Sequence, residues 1–109
     1  MSDLARIPVA SVKAGSPVRL EGGAAGICLV RIGDDFYAIG DRCSHAAVSL
    51  SEGYVDPDDV TIECWKHGSA FSLRSGEPQS LPAVRPVPVY AVRLEGDDVV
   101  VSTRPEVDQ

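Results

Sequence analysis

The chain has 109 residues, 44% hydrophobic and 24% charged, with 16 Asp and Glu against 10 Lys and Arg for a formal net charge of −6. Such a length makes one domain that buries roughly 65% of its unfolded surface and leaves no room for a second, catalytic domain. The acidic balance argues against nucleic acid and anionic membranes as partners and favours steering toward a basic protein surface, although solubility alone is the simpler account of the same charge.

Met1 to Arg6 shows neither the basic n-region nor the apolar h-region of a signal peptide. No apolar run approaches the roughly 18 residues of a membrane span, so a cytoplasmic protein is expected. Ala5 to Val12 and Pro17 to Leu20 read as short strands around the turn Lys13 to Ser16. After the flexible stretch Glu21 to Gly26, Ile27 to Ile32 and Asp35 to Ile39 read as a hairpin joined by Gly33-Asp34. Phe36 and Tyr37 fall on opposite faces of its second strand, so one is expected in the core and the other near the sheet surface. Cys28, within the apolar run Gly26 to Val30, reads as a small buried hydrophobe.

Gly40-Asp41-Arg42 then leads into Cys43-Ser44-His45, and the mildly apolar Ala46 to Leu50 follows, placed to wrap over whatever that arm binds. Glu52 to Val55 and Asp56 to Asp59 form a turn-rich acidic connection, read as a solvated loop, with a partner-docking face as the alternative. Val60 to Glu63 is a short strand delivering Cys64-Trp65-Lys66-His67. These two arms contain both histidines and two of the three cysteines. Each offers one thiolate and one imidazole, and the stretch between them is long enough to return the chain to the same point. Two Cys and two His suit either a structural zinc ion or a two-iron two-sulfur cluster in which histidines replace cysteines on one iron. Zinc fingers usually group Cys with Cys and His with His, whereas a mixed pair on each arm suits a binuclear centre. A zinc-stabilised binding module remains the alternative.

Past His67, Gly68 permits a tight turn, Ala70 to Leu73 resumes as a strand, and Arg74 to Pro78 turns again. Leu81 to Pro88 holds three prolines and cannot be an inner strand, because proline donates no ladder hydrogen bond. Val89 to Leu94 and Val99 to Ser102, joined by Glu95 to Asp98, read as a second hairpin. The expected fold is therefore all-β. Residues 1–104 form the domain, a cluster-binding subdomain spans about residues 41–82, and residues 105–109 form a flexible tail.

The pattern C-x-H, Leu50-Ser51-x-Gly53, C-x-x-H-Gly68 and Phe71, continued by Leu81 to Pro88, resembles the Rieske iron-sulfur family over nearly the whole chain. The resemblance implies an antiparallel β-sandwich with an inserted cluster-binding subdomain and one [2Fe-2S] cluster. Cys43 and Cys64 would bind the buried iron, His45 and His67 the outer one, and the proline-rich stretch would cover them. Neutral imidazoles make such a cluster less negative than an all-cysteine one, so it accepts an electron more readily. The likeness is closest to the small ferredoxin components of ring-hydroxylating dioxygenase systems. That implies an electron-transfer protein, not an enzyme, which carries single electrons from a flavin-dependent reductase to a terminal oxygenase. Alternatives are a Rieske subunit fixed in an oxidoreductase, as in nitrite reductase, or an accessory to iron-sulfur cluster assembly. No nucleotide fingerprint, mononuclear iron triad or nucleophile-base pair suggests a substrate site.

Departures from the family carry expectations too. Val48 and Lys66 stand where respiratory-type members have a cysteine pair, so no disulfide braces the arms. Ser69 matches a serine whose hydroxyl donates to cluster sulfur, while Phe71 replaces a tyrosine that does the same. Losing one such bond places the expected potential low in the Rieske range, near about −150 mV, with Ser69 and Lys66 pulling it slightly upward. Trp65 replaces a common proline and reads either as a partner contact or as packing. Lys66 reads as a solvated charge. Each ligand imidazole keeps a second titratable nitrogen, so the potential should fall as pH rises through its oxidised-state pKa.

Overall fold

Four successive residues, Ile27, Cys28, Leu29 and Val30, are buried in turn. Because side chains alternate across a strand, such a run requires cover on both faces. The computed structural model, which describes residues 4–22, 26–43, 48–66, 68–79 and 85–105, shows what provides it. Strand β3 (Ile27–Ile32) pairs with β4 (Asp35–Gly40) through the Gly33-Asp34 turn. Around this hairpin, β1 (Leu4–Pro8), β2 (Val18–Leu20), β8 (Val89–Glu95) and β9 (Asp98–Pro105) complete a six-stranded sheet in the order β1-β9-β8-β4-β3-β2. A second sheet holds β5 (Tyr54–Asp56), β6 (Thr61–Glu63) and β7 (Ala70–Ser72) in chain order. Every strand pair is antiparallel, as the expected class requires.

The two faces of the central hairpin look into different cores. Ile27, Leu29 and Ala38 pack with Tyr90, Val99 and Val101, and with Ile7, Val18 and Leu20 from the two outermost strands. Both ends of the sheet reach one core, so the sheet curls. Gly22, just after β2, lies so close to β9 that an added Cβ would stand 2.8 Å from Thr103 Cγ2. On the opposite face, Cys28, Val30 and Ile39 pack against Ile62, Phe71 and Leu73 of the small sheet region, together with Leu50, Val87, Cys43 and Cys64. The second core thus joins the hairpin to both cysteine arms.

Several expectations need correction. Phe36 and Tyr37 are both half-buried, Phe36 on the curled core and Tyr37 on the other, because β4 is covered on both sides. The first strand stops at Pro8, not Val12: Val9–Ser11 forms a 3-10 turn, closed by Val12 N–H donating to the Val9 carbonyl at 3.0 Å, which drops Val12 into the curled core. Tyr54–Asp56 is a strand, not loop, paired with β6 from Tyr54↔Glu63 to Asp56↔Thr61. The Asp56 carboxylate accepts from Asp58 N–H at 3.0 Å and Asp59 N–H at 3.2 Å, so the acidic residues that read as loop form the turn ending that strand. Strand β9 runs to Pro105, past the expected end at Ser102, and the tail residues 106–109 lie outside the described residues. Among the described residues no helix is long and apolar enough to cross a membrane.

Candidate metal centre

The first arm grows from the end of β4 as a nested ladder. Asp41 accepts from Leu50 N–H through its backbone carbonyl, Arg42 bridges Ser49, and Cys43 N–H donates to the Val48 carbonyl at 3.0 Å. The second arm is the end of the β6–β7 hairpin. Beyond the Glu63↔Ala70 pair, Cys64 N–H donates to the Ser69 carbonyl at 2.7 Å, and Gly68 N–H returns to the Cys64 carbonyl at 3.0 Å. Both arms are therefore closed alike, each cysteine amide bonding to the carbonyl five residues on. Gly68 takes φ +76, a left-handed conformation that glycine adopts without penalty.

Both thiols point inward. Cys43 is 3% and Cys64 1% exposed, in the apolar cluster shared with Leu50, Phe71 and Val87. Ser69, Phe71 and Leu73 alternate onto the buried side of the second arm and β7. Val87, from the proline-rich stretch, is strapped in by its N–H to the Gly76 carbonyl at 2.8 Å, and the Gly40 amide bonds to the Pro88 carbonyl at 2.8 Å. Residues Leu81, Pro82, Ala83 and Val84 of that stretch lie outside the described residues, as do Ala46 and Ala47. Trp65 is 46% exposed, and Lys66 is also exposed.

The donor chemistry fits a cluster bound on its inner side by thiolates. Two soft sulfur donors sit in a dry apolar cluster on two similarly closed arms, and no disulfide occupies them. The other two expected donors, His45 and His67, lie outside the described residues. Among the described residues no group of three or more His, Cys, Asp or Glu gathers. Cys28 is not part of the set. Its thiol is pushed up, first by burial and then by the nearby Asp41 carboxylate, so it stays protonated, as a buried hydrophobe would.

Sequence reasoning passed over Asp41 as a connector. It is 1% exposed and accepts from Ser51 N–H at 2.8 Å on Oδ1 and from Arg19 Nε–H at 3.0 Å on Oδ2, while its own N–H donates to the Gly26 carbonyl. A single residue thereby joins β2, the start of β3 and both ends of the first arm. The one available signal was an acid standing two residues before a candidate ligand.

Residues 4–91 match the protein family described as Rieske [2Fe-2S] domain. The 3-phenylpropionate/cinnamic acid dioxygenase ferredoxin subunit of Escherichia coli strain K12 is 42% identical over 101 residues, 93% of each chain. Among solved structures, the ferredoxin of carbazole 1,9a-dioxygenase from Nocardioides aromaticivorans IC177 aligns with a TM-score of 0.89 and 34% identity, over 94% of this chain and all of that one. A chain in the complex of reduced oxygenase and oxidized ferredoxin in carbazole 1,9a-dioxygenase aligns with a TM-score of 0.90 and 34% identity, over 99% of this chain and 100% of that one.

Proposed function

This chain belongs to the Rieske [2Fe-2S] domain family, and we propose that it is the ferredoxin of a ring-hydroxylating dioxygenase system, carrying single electrons to a terminal oxygenase. The observation that carries this reading is its end-to-end correspondence with a stand-alone ferredoxin subunit, 93% of both chains. The partner assignment draws on the solved complex in which a similar chain meets its oxygenase.

Cys43 and Cys64 would hold the inner iron, and His45 and His67 the outer iron. When bound, the cluster supplies a reversible one-electron store. The chain's own residues set the conditions for it. Leu50, Phe71 and Val87 keep water from the thiolate side, and the closed arm bases hold both cysteines against arm opening. The cluster-binding subdomain, residues 41–82, would be the two arms plus the β5-β6-β7 sheet that carries the second of them. The electron donor would be a flavin-dependent reductase. A cytoplasmic setting accords with three cysteines that form no disulfide.

The test is anaerobic purification followed by iron, sulfide and zinc assays and voltammetry across pH. Two irons and two sulfides per chain, with a reversible one-electron wave near about −150 mV that falls only at alkaline pH, are expected. Zinc without sulfide and no wave would overturn the reading. Constant co-elution with a larger oxidoreductase chain would replace the mobile carrier by a fixed subunit.

A further inference from the structure

The Asp41 carboxylate is buried beside the first arm, two residues from Cys43, and pairs with Arg19. Arg19 reaches it from β2, a strand with no other part in the site. Its side chain is 44% exposed and also pairs with Glu21, whose side chain is 88% exposed and whose carboxylate accepts from Nη1 at 2.7 Å. The backbone makes room for this placement. At Gly26, φ is +89, and an added Cβ would stand 2.8 Å from Arg19 Nη2. The same glycine's carbonyl receives the Asp41 N–H at 3.1 Å.

If the carboxylate served only to close the arm, a neutral amide would do as well. The Ser51 N–H needs an acceptor oxygen, and the backbone bonds to Leu50 and Gly26 are independent of the side chain. Burying an anion is costly, and a buried pair is weak evidence for stability. What the pair adds is a fixed, buried anion two residues from Cys43, with its compensating cation more exposed. A charge in a dry region acts over longer range than an exposed one, because little water screens it. An anion beside the first arm disfavours an incoming electron, and the cation opposes that effect.

Resting on the ferredoxin reading above, we infer that Arg19 and Asp41 are positioning residues that set the reduction potential by opposed charges, Asp41 lowering it and Arg19 raising it. The two effects carry opposite signs and, as charges acting on one centre, they add, so removing both returns the potential toward wild type. A purely structural clamp predicts neither.

Voltammetry at neutral pH on the loaded full chain, with iron and sulfide assayed on each sample, tests this in Asp41→Asn, Arg19→Gln, Arg19→Lys and the double variant Asp41→Asn/Arg19→Gln. Asp41→Asn should favour reduction several-fold and Arg19→Gln should disfavour it several-fold, each tenfold being 59 mV for one electron. Arg19→Lys should stay near wild type, and the double variant should return toward it. Shifts of the same sign, or an unchanged potential in Arg19→Gln, overturn the inference. Should Asp41→Asn fail to fold, the two Arg19 variants decide alone: a lowered potential in Arg19→Gln with the wild-type value in Arg19→Lys supports the pair, and equal values in both overturn it. A wild-type chain without iron and sulfide refutes the ferredoxin reading instead, so the two failures remain distinct.

Discussion

Cys28 and Cys64 are both buried, but Cys28 lies mid-strand in β3 while Cys64 opens a hairpin tip. The difference can be measured. Burial, and then the Asp41 carboxylate, raises the Cys28 thiol pKa in the folded state. A raised folded-state value means that its contribution is whole below the ordinary thiol pKa of about 8.5 and is lost as pH rises beyond it, because the unfolded chain releases a proton that the folded chain keeps. Urea unfolding at several alkaline pH values should show wild-type stability falling relative to Cys28→Ala by about 1.4 kcal/mol per pH unit. A pH-independent difference between the two proteins would contradict this. Ser69, also buried, sits on the inward face of the second arm with Phe71 and Leu73. If its hydroxyl donates to cluster sulfur, as in the family, Ser69→Ala forfeits about 1 kcal/mol of reduced-state stabilisation. That amounts to about 40 mV lower potential for one electron. Voltammetry of the variant checks it, and an unmoved wave would assign Ser69 to packing alone.

Glycines separate two constraints at the level of elements. Gly53 enters β5 at φ −90, a conformation open to any residue, but an added Cβ would stand 2.0 Å from the Glu63 carbonyl oxygen and 3.1 Å from that of Leu50. Gly33, in the β3–β4 turn, has φ +61 with nothing within 4 Å of its added Cβ. Gly53→Ala should therefore push β5 off β6 and cost about 3 kcal/mol, with lower iron content, since β6 carries Cys64. Gly33→Ala should cost about 1 kcal/mol through backbone conformation alone and load normally. Denaturation midpoints and iron-to-protein ratios distinguish them, and equal losses in both would refute the account. Such packing also explains what was legible in advance. The β3–β4 and β8–β9 hairpins carry their own signals, apolar runs around Gly33-Asp34 and Gly96-Asp97, and both formed, the second with β9 extended to Pro105. The Cys and His spacing of the arms was legible because each candidate pair falls within one short stretch. Strand β5 was not, because Tyr54 to Asp56 becomes a strand only through Gly53 lying under β6 and through the Asp56 turn. Nor was the role of Asp41, whose cation stands 22 positions away on an unrelated strand.

Charge and exposure over the whole molecule concern the partner. Between Ser49 and Trp65 stand Glu52, Asp56, Asp58, Asp59 and Glu63 with no Lys or Arg. Glu63 adjoins the second arm on β6, Asp56 ends β5, Asp58 and Asp59 lie in the turn joining the two strands, and Glu52 ends the 3-10 turn Leu50–Glu52. Tyr54 is strongly exposed among them, and Trp65 projects at the arm itself. An anionic flank around an exposed aromatic suits a partner with a basic rim and an apolar centre, the charges governing encounter and the indole governing residence. Those contributions respond to different perturbations. Raising ionic strength shortens the Debye length from about 10 Å at 0.1 M to about 3 Å at 1 M. Electron transfer to the proposed oxygenase partner should accordingly slow with salt in wild type and less steeply in Asp59→Asn/Glu63→Gln. Trp65→Ala should lower the second-order rate by about tenfold at every salt concentration, leaving both the slope and the potential unchanged, because a central contact acts after encounter and holds no charge. Stopped-flow transfer rates across salt, with voltammetry of the same samples, test the division. A potential that moved in Trp65→Ala would instead assign the indole to packing beside the cluster, and transfer independent of salt would return the acidic flank to solubility alone.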